Sequence, residues 1–348
     1  MPRRVRGMAA SGQAQPLHEW EFDRRDLRPD DVAVSIDFCG VCHSDLHAWH
    51  GEPSYGGATF PLVPGHEFVG TVAEVGSAVT DFAVGDKVAV GNIVDSCRVC
   101  QMCTAGHEQL CVEVATLTYG GADRRDGLPT YGGYSTEYVV TEAFVYHLPD
   151  GLDPAGAAPL MCAGVTVWEP LAQWKIGPGM TVGVVGLGGL GHLAVKLAHA
   201  LGADVHLFTT SPAKSEVAQA LGATNVVVST DAAQMADARG RYDFILDTVP
   251  VAHDISSHLA TVRPGGTLCQ VGALDAVTFE PMALLGRSVA MSGSGGRPGT
   301  RQMLEFCAAH GITADVEVLP ANAVNDALAR LERNDVRFRF SLDMTTMR

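Results

Sequence analysis

The run Gly186-Leu-Gly-Gly-Leu-Gly191 constrains this chain more than any other segment. The apolar stretch Val182-Gly-Val-Val185 precedes it, and residues 190–201 follow with helical periodicity. A strand, a glycine turn and a helix in that order give the setting that a G-x-G-x-x-G motif requires. The glycines permit a tight turn and let backbone N–H groups approach a pyrophosphate at the helix N-terminus. Alone, such a run could be a bare packing turn; between a strand and a helix it reads as a dinucleotide-binding loop. Downstream, apolar strands at 205–208, 226–228, 244–247 and 267–271 are separated by helical patterns at 213–221 and 255–261. Strands alternating with helices imply an α/β unit with a parallel, doubly wound sheet.

The end of the second strand bears on which dinucleotide fits. A preference for NAD normally needs a carboxylate there to accept from the ribose 2′-hydroxyl. This chain has Thr209-Thr-Ser-Pro-Ala-Lys214, with hydroxyls and a cation but no acid. A carboxylate would repel a 2′-phosphate, whereas Thr209, Thr210, Ser211 and Lys214 can bind one, so NADP(H) is expected. The bland alternative is that Ser211 only caps the next helix and Lys214 is a solvated lysine.

At 348 residues the chain is long enough for two cores. Its first 155 residues carry short β-branched runs such as Val32-Ala-Val-Ser-Ile36 and Lys87-Val-Ala-Val90, punctuated by glycine and proline, as in an antiparallel β-rich domain. Near Pro154 the character changes to the alternating pattern. After about Gly293, helices at 302–309 and 324–333 and a closing strand at 338–342 are expected, the strand pairing with the N-terminal sheet. Residues 120–133 read as a glycine-rich surface loop, and there are no internal repeats. A net charge of −15 argues against nucleic-acid and anionic-membrane partners. The basic opening Met1-Pro-Arg-Arg-Val-Arg-Gly-Met8 lacks a following apolar run, so no secretory signal is expected. The odd count of nine cysteines, clustered, favours metal ligation over disulfides and a cytoplasmic location.

Cys97, Cys100, Cys103 and Cys111 follow a C-x2-C-x2-C-x7-C spacing. Four thiolates this close suit a closed, tetrahedral structural zinc. A second, scattered set, Cys42, His66, Glu67 and Cys162, suits an open zinc, but spacing does not establish it. Cys39 and Cys42 also fit half of a zinc knuckle, His66-Glu67 an ordinary surface pair and Cys162 a buried thiol.

Taken together, Cys39-Gly-Val-Cys-His-Ser-Asp-Leu-His47, Val63-Pro-Gly-His-Glu67, Val84-Gly-Asp86, the four-cysteine lobe and the glycine loop resemble the zinc-dependent medium-chain alcohol dehydrogenases. Pro159-Leu-Met-Cys-Ala-Gly-Val-Thr166, Val249-Pro250, Met303-Leu-Glu-Phe-Cys307 and Asn334-Asp-Val-Arg-Phe-Arg-Phe340 are similar to the cinnamyl alcohol dehydrogenase branch, with its broad-range NADPH-dependent aldehyde reductases. The resemblance implies a β-rich GroES-like catalytic domain at 1–155 and 294–348, and a Rossmann NADP-binding domain at 156–293. It implies Cys42, His66 and Cys162 as catalytic zinc ligands, with Glu67 able to approach the metal, and Cys39 as a non-ligand. Ser44 matches the hydroxyl that contacts the substrate oxygen, and His47 the outer member of a proton relay. Thr166, Gly186, Leu187, Gly188, Gly189, Leu190, Gly191, Thr248, Gly272, Ser292, Gly293 and Ser294 match positions lining the cofactor.

The implied reaction is hydride transfer between NADP(H) and a primary alcohol or aldehyde, aromatic or medium-chain aliphatic, in a homodimer joined through nucleotide-binding domains. Zinc would polarise the substrate oxygen, with protons moving through Ser44 and His47. Two departures from the branch bear on substrate. Trp168-Glu169 stands where Tyr-Ser is usual, and Met291-Ser-Gly-Ser294 offers small side chains that would widen the site beside the nicotinamide. Trp49, His50, Tyr55, Tyr119 and Trp168 are candidates for an apolar pocket. Two rivals remain: an NAD-dependent polyol or secondary-alcohol dehydrogenase, disfavoured by Thr209, and a non-catalytic NADPH-binding protein, which has no use for a relay.

Overall fold

Strand Asp31–Val41 organises one half of the molecule: its alternate residues Val32, Val34 and Ile36 share one face and are fully buried there. The computed structural model describes residues 3–52, 59–272 and 277–348, so Tyr55 lies outside the described residues. The chain divides into two units, Met1–Cys162 with Gly295–Arg348, and Ala163–Ser294. The first division therefore falls after Cys162, several residues beyond the change in composition near Pro154.

In the first unit, Asp31–Val41 pairs antiparallel with Phe68–Val75, with Glu137–Thr141 and with the C-terminal strand Arg339–Asp343. Lys87–Val90 and Tyr146–His147 extend one side, and Val316–Pro320 runs parallel to Arg339–Asp343 at the other edge. The expected return of the C-terminus to the N-terminal sheet is thus observed, with Leu342 opposite Cys39. Val316–Pro320 was not legible in the sequence, because its mixed burial erases the alternation that marks a strand. The helix expected at 302–309 begins earlier, spanning Arg297–His310, since Pro298 is tolerated in a first helical turn. Its first N–H finds an acceptor in the four-cysteine lobe: Arg297 N donates to the buried Glu108 carboxylate at 2.8 Å.

The second unit is a parallel sheet in the order Asn225–Val228, Asp204–Thr209, Thr181–Val185, Tyr242–Asp247, Val262–Gln270, Ser288–Met291. Its first strand in chain order, Thr181–Val185, is central and the order reverses there, and the carboxyl end of a strand at such a reversal is where open α/β sheets bind ligands. Val182, Val184, Leu207, Ile245 and Leu246 are fully buried, as strands covered on both faces must be. The helix expected at 213–221 is instead a 3-10 turn, Pro212–Lys214, followed by Ser215–Ala220. Ser211 makes no side-chain cap. Ser288–Met291 is an edge strand missed in the sequence, half-exposed and without periodicity. No helix among the described residues is long and apolar enough to cross a membrane.

Candidate metal centres and nucleotide loop

The four cysteines of the lobe converge, with their Sγ atoms all within 4.8 Å of one another. Local backbone does this. Cys97 N donates to Cys111 Sγ at 3.5 Å and Cys100 N to Cys97 Sγ at 3.3 Å, while Cys97 and Cys103 Sγ lie 3.8 Å apart. A tetrahedral site with Zn–S bonds of about 2.3 Å sets its sulfurs about 3.8 Å apart, so the donor set fits zinc. Backbone N–H groups of Cys103 and Val112 lower the Cys100 thiol to about 6, which favours the thiolate that a metal needs. His107 is not part of the cluster; it precedes the short 3-10 turn Glu108–Leu110.

The scattered set converges as well. Cys42, His66, Glu67 and Cys162 each bring a ligand atom within 4.8 Å of the others. Cys42 and Cys162 Sγ are 3.9 Å apart, again a tetrahedral edge, and His66 Nε2 is 3.1 Å from Cys162 Sγ. Cys42 precedes the helix His43–Trp49, His66 and Glu67 lead into strand Phe68–Val75, and Cys162 closes the 3-10 turn Ala158–Met161. The Cys162 hydrogen bond, with Arg339 and His66 nearby, holds the Cys42 thiol well below its ordinary range. Burial does the reverse at Cys39, whose thiol is pushed well up and packs beneath Gly65 and Gly133. Three residues apart in sequence, Cys42 belongs to the converged donor set and Cys39 is a packed thiol outside it.

Three neighbours of this site were missed by sequence reasoning. The fully buried Asp45 accepts from His66 Nδ1 at 3.1 Å, which leaves Nε2 facing the cluster. It also accepts from Cys42 N at 2.9 Å and Gly65 N at 3.0 Å. Its position three residues after Cys42, as in a capping box, was the available signal. Arg339 forms a buried ion pair with Glu67 Oε1, while Glu67 Oε2 has no hydrogen-bond partner. Burial raises the Glu67 carboxyl to about 8 against the pull of Arg339. An orphaned buried carboxylate oxygen beside two thiols and an imidazole is the environment a cation would relieve. Nothing local pointed to Arg339, which is 272 residues away. Glu52 Oε2 accepts from His47 Nδ1 at 2.8 Å, fixing that ring, and Ser44 Oγ lies 3.7 Å from Cys42 Sγ.

The aromatic pocket candidates separate. The Tyr119 ring meets the His66 ring edge-on at 5.6 Å. Trp49 Nε1 donates to Gln15 O at 2.6 Å and His50 pairs with Glu332 at 3.1 Å, so both tie segments together. Trp168 is buried in the helix Ala163–Gln173.

In the second unit the glycine loop has the shape a pyrophosphate requires. Gly186 sits at φ +89°, and a Cβ on Gly191 would collide with Gly186 O. A Cβ on Gly188 would meet nothing within 4 Å, so backbone there faces open space. Gly189 and Leu190 complete the turn, Leu190 as N-cap of the helix Gly191–Ala200, while Leu187 is buried. The buried His192 braces the loop, its Nδ1 lying 3.1 Å from Gly188 O. Lys214 Nζ reaches back to Leu187 O at 3.4 Å, placing a cation beside the loop. Thr209 Oγ1 accepts from Ser211 N at 3.2 Å, and Thr210 is exposed. Thr248 Oγ1 donates to Val185 O at 2.8 Å, and a side chain at Gly272 would strike Val249 O. Ser292 N donates to Gln270 O at 2.9 Å, Gly293 faces open space, and Ser294 N donates to Thr166 Oγ1 at 3.3 Å. The cradle fits a dinucleotide, and its cation fits a 2′-phosphate.

Comparison with known proteins agrees with this geometry. Residues 28–150 match the alcohol dehydrogenase GroES-like domain, and residues 189–309 the zinc-binding dehydrogenase domain. The chain is 44% identical to a probable formaldehyde dehydrogenase of Bacillus subtilis, over 99% of this chain and 98% of that protein. It is 44% identical to an aldehyde reductase of Escherichia coli, over 99% of each. Among solved structures, a cinnamyl alcohol dehydrogenase from Sorghum bicolor superposes with a TM-score of 0.93 at 45% identity, covering 99% of this chain and 98% of that one. With two converged cysteine centres, a glycine-loop nucleotide sheet and relatives matched from end to end, the chain belongs to the zinc-binding alcohol dehydrogenase family.

Proposed function

We propose that this protein transfers hydride reversibly between NADP(H) and a primary alcohol or aldehyde, with aromatic or medium-chain aliphatic substrates. The observation that carries the proposal is the Cys42, His66 and Cys162 donor set, with its nearby carboxylate tied back to Arg339, so that three strong ligands leave a coordination position open. Zinc bound there supplies Lewis acidity to the substrate oxygen, and NADP(H) supplies or accepts the hydride. The protein's own residues do the rest. Ser44 Oγ, beside Cys42, hydrogen-bonds the substrate oxygen and holds the transferable proton. His47, steadied by Glu52, exchanges that proton with water. Asp45 keeps the His66 ring oriented. The four-cysteine site holds a second zinc with no open position.

The cofactor assignment draws on Lys214 beside the loop and on the absence of an acid between Thr209 and Lys214. A relative in structure, the cinnamyl alcohol dehydrogenase of Helicobacter pylori complexed with NADP(H), superposes with a TM-score of 0.91 at 32% identity, covering 99% of each chain. Small residues at Gly293 and Ser294 favour bulky aldehydes. A homodimer is supported by the edge strand Ser288–Met291, whose outer side pairs with no strand among the described residues, and by the exposed Met282, Leu285 and Met291 on the same unit. None of the nine cysteines forms a disulfide among the described residues, which agrees with a cytoplasmic location. The deciding experiment is NADPH and NADH oxidation against a panel of aromatic and straight-chain aldehydes. Turnover with NADPH above NADH is expected; faster turnover with NADH overturns the cofactor, and none with any aldehyde overturns the activity.

A further inference from the structure

We propose that Tyr134 is a positioning residue of the Cys42–His66–Cys162 centre, fixing the orientation of its histidine through Asp45. The proposal rests on the reading of that centre as a zinc site.

Asp45 is fully buried and accepts from four donors. Cys42 N at 2.9 Å and the Tyr134 hydroxyl at 3.0 Å meet Oδ2, while Gly65 N at 3.0 Å and His66 Nδ1 at 3.1 Å meet Oδ1. Three of these donors belong to the segments that carry the ligands, so they move with what they are meant to hold. The phenol comes from elsewhere. With the nearby Tyr119 side chain, it refers the carboxylate to a frame outside the ligand segments.

That frame is rigid for stated reasons. Tyr134 is fully buried, and its segment runs alongside the ligand segment. Gly132 N donates to Val63 O at 2.7 Å, Gly133 N to Gly65 O at 2.7 Å and Tyr134 N to Pro64 O at 2.9 Å. Gly65 permits this approach, because a Cβ there would come within 2.6 Å of Tyr134 Cδ1. From the other side the buried Arg24 donates to Tyr131 O at 2.8 Å, Gly132 O at 2.9 Å and Ser135 Oγ at 2.8 Å. Arg24 here has carbonyl and hydroxyl partners, so its guanidinium acts as a clamp on backbone. The phenol's aim is thereby set by main chain, and the phenol sets the carboxylate.

Losing the hydroxyl leaves a buried carboxylate oxygen one donor short, and the group is then free to turn toward other donors. His66 Nδ1 follows it, and Nε2 no longer faces the two thiolates squarely. Removing a direct outer-shell partner of a metal ligand typically costs 10- to 100-fold in affinity; one contact further out, about 3- to 10-fold is expected.

The test is zinc release from the fully loaded protein into a chromogenic chelator, comparing wild type, Tyr134→Phe, Asp45→Asn and the double variant. The four-cysteine zinc of the same chain is the internal control. Support consists of faster release from the Cys42–His66–Cys162 centre in Tyr134→Phe, unchanged release from the lobe, and a double variant no faster than Asp45→Asn alone. A shifted d–d band at that centre in cobalt-substituted Tyr134→Phe would add a spectroscopic signature. Equal release from wild type and Tyr134→Phe overturns the proposal, as does a double variant in which the effects multiply. Equal acceleration at both sites also overturns it, since that is general loosening of the fold. A Cys162→Ala variant that keeps the full zinc content of the wild type would overturn the metal site itself, and is told apart by stoichiometry before any release is measured.

Discussion

The two cysteine centres lie in the same unit and are assembled by opposite means. The lobe gathers four sulfurs from one short segment, and its own backbone N–H groups reach the sulfurs of Cys97 and Cys111. Its flanking Val99, Leu110, Val112 and Val114 stay largely exposed. The other centre draws ligands from three segments, with Cys42 and Cys162 separated by 120 positions. It is enclosed by the fully buried Asp45 and Glu67. A closed site built locally needs little beyond its own turns. An open site must have its ligands held from behind, because the position left for substrate cannot be filled by a fourth strong donor. The difference explains why the second centre has an outer shell of Asp45, Arg339 and Tyr134 while the lobe is served by its own amides and the adjacent Ser96 hydroxyl.

That contrast can be broken at either end. The largest effect expected is at the open centre: Cys162→Ala should lower aldehyde reduction by at least about a thousandfold, because Lewis acidity is lost with the metal. Metal analysis should fall from two zinc per chain to one, with little change in melting temperature. Cys100→Ala should do the reverse. Structural zinc contributes folding energy directly, so a melting temperature lower by about 10 °C is expected, with per-molecule activity of the folded fraction largely kept. Hydrogen exchange should rise at the start of the Arg297–His310 helix, whose first amide is held by Glu108 of the lobe. Activity lost in step with Cys162→Ala would mean the lobe is not merely structural.

Two changes in the other unit sharpen the comparison by leaving both metals in place. Lys214→Ala should raise KM for NADPH about tenfold, through loss of one charge-assisted contact, and leave KM for NADH nearly unchanged. The smallest effect is at His253, whose Nε2 lies 2.7 Å from the buried Asp247 carboxylate. That hydrogen bond raises the His253 pKa above the ordinary histidine value. The pair's stabilisation is therefore full below about pH 6.5 and fades as pH rises through the higher folded value. His253→Gln should lower the melting temperature by about 2 °C at pH 6 and by less at pH 9, in thermal scans at matched zinc content.

What the chain declares in sequence is what is local. The spacing of Cys97, Cys100, Cys103 and Cys111 is itself the geometry of a metal site, since turns of two and seven residues bring thiolates together without help. The glycine loop is local in the same sense: strand, turn and helix are contiguous, and each glycine answers a steric demand of that turn, as Gly191 against Gly186 O demonstrates. The parallel sheet was legible because strands buried on both faces are continuous apolar runs. The half-exposed edge strands Val316–Pro320 and Ser288–Met291 were not, because their burial follows no period. Cys42, His66 and Cys162 carried no signal as a set beyond family likeness. Only tertiary structure decided that Cys42 joins the converged donor set while Cys39 packs as a buried thiol, that Asp45 accepts from His66, and that Arg339 reaches Glu67 from the far end of the chain. The physical reason is that these roles are set by burial and by strand register, with Leu342 brought opposite Cys39. No short stretch of sequence contains either.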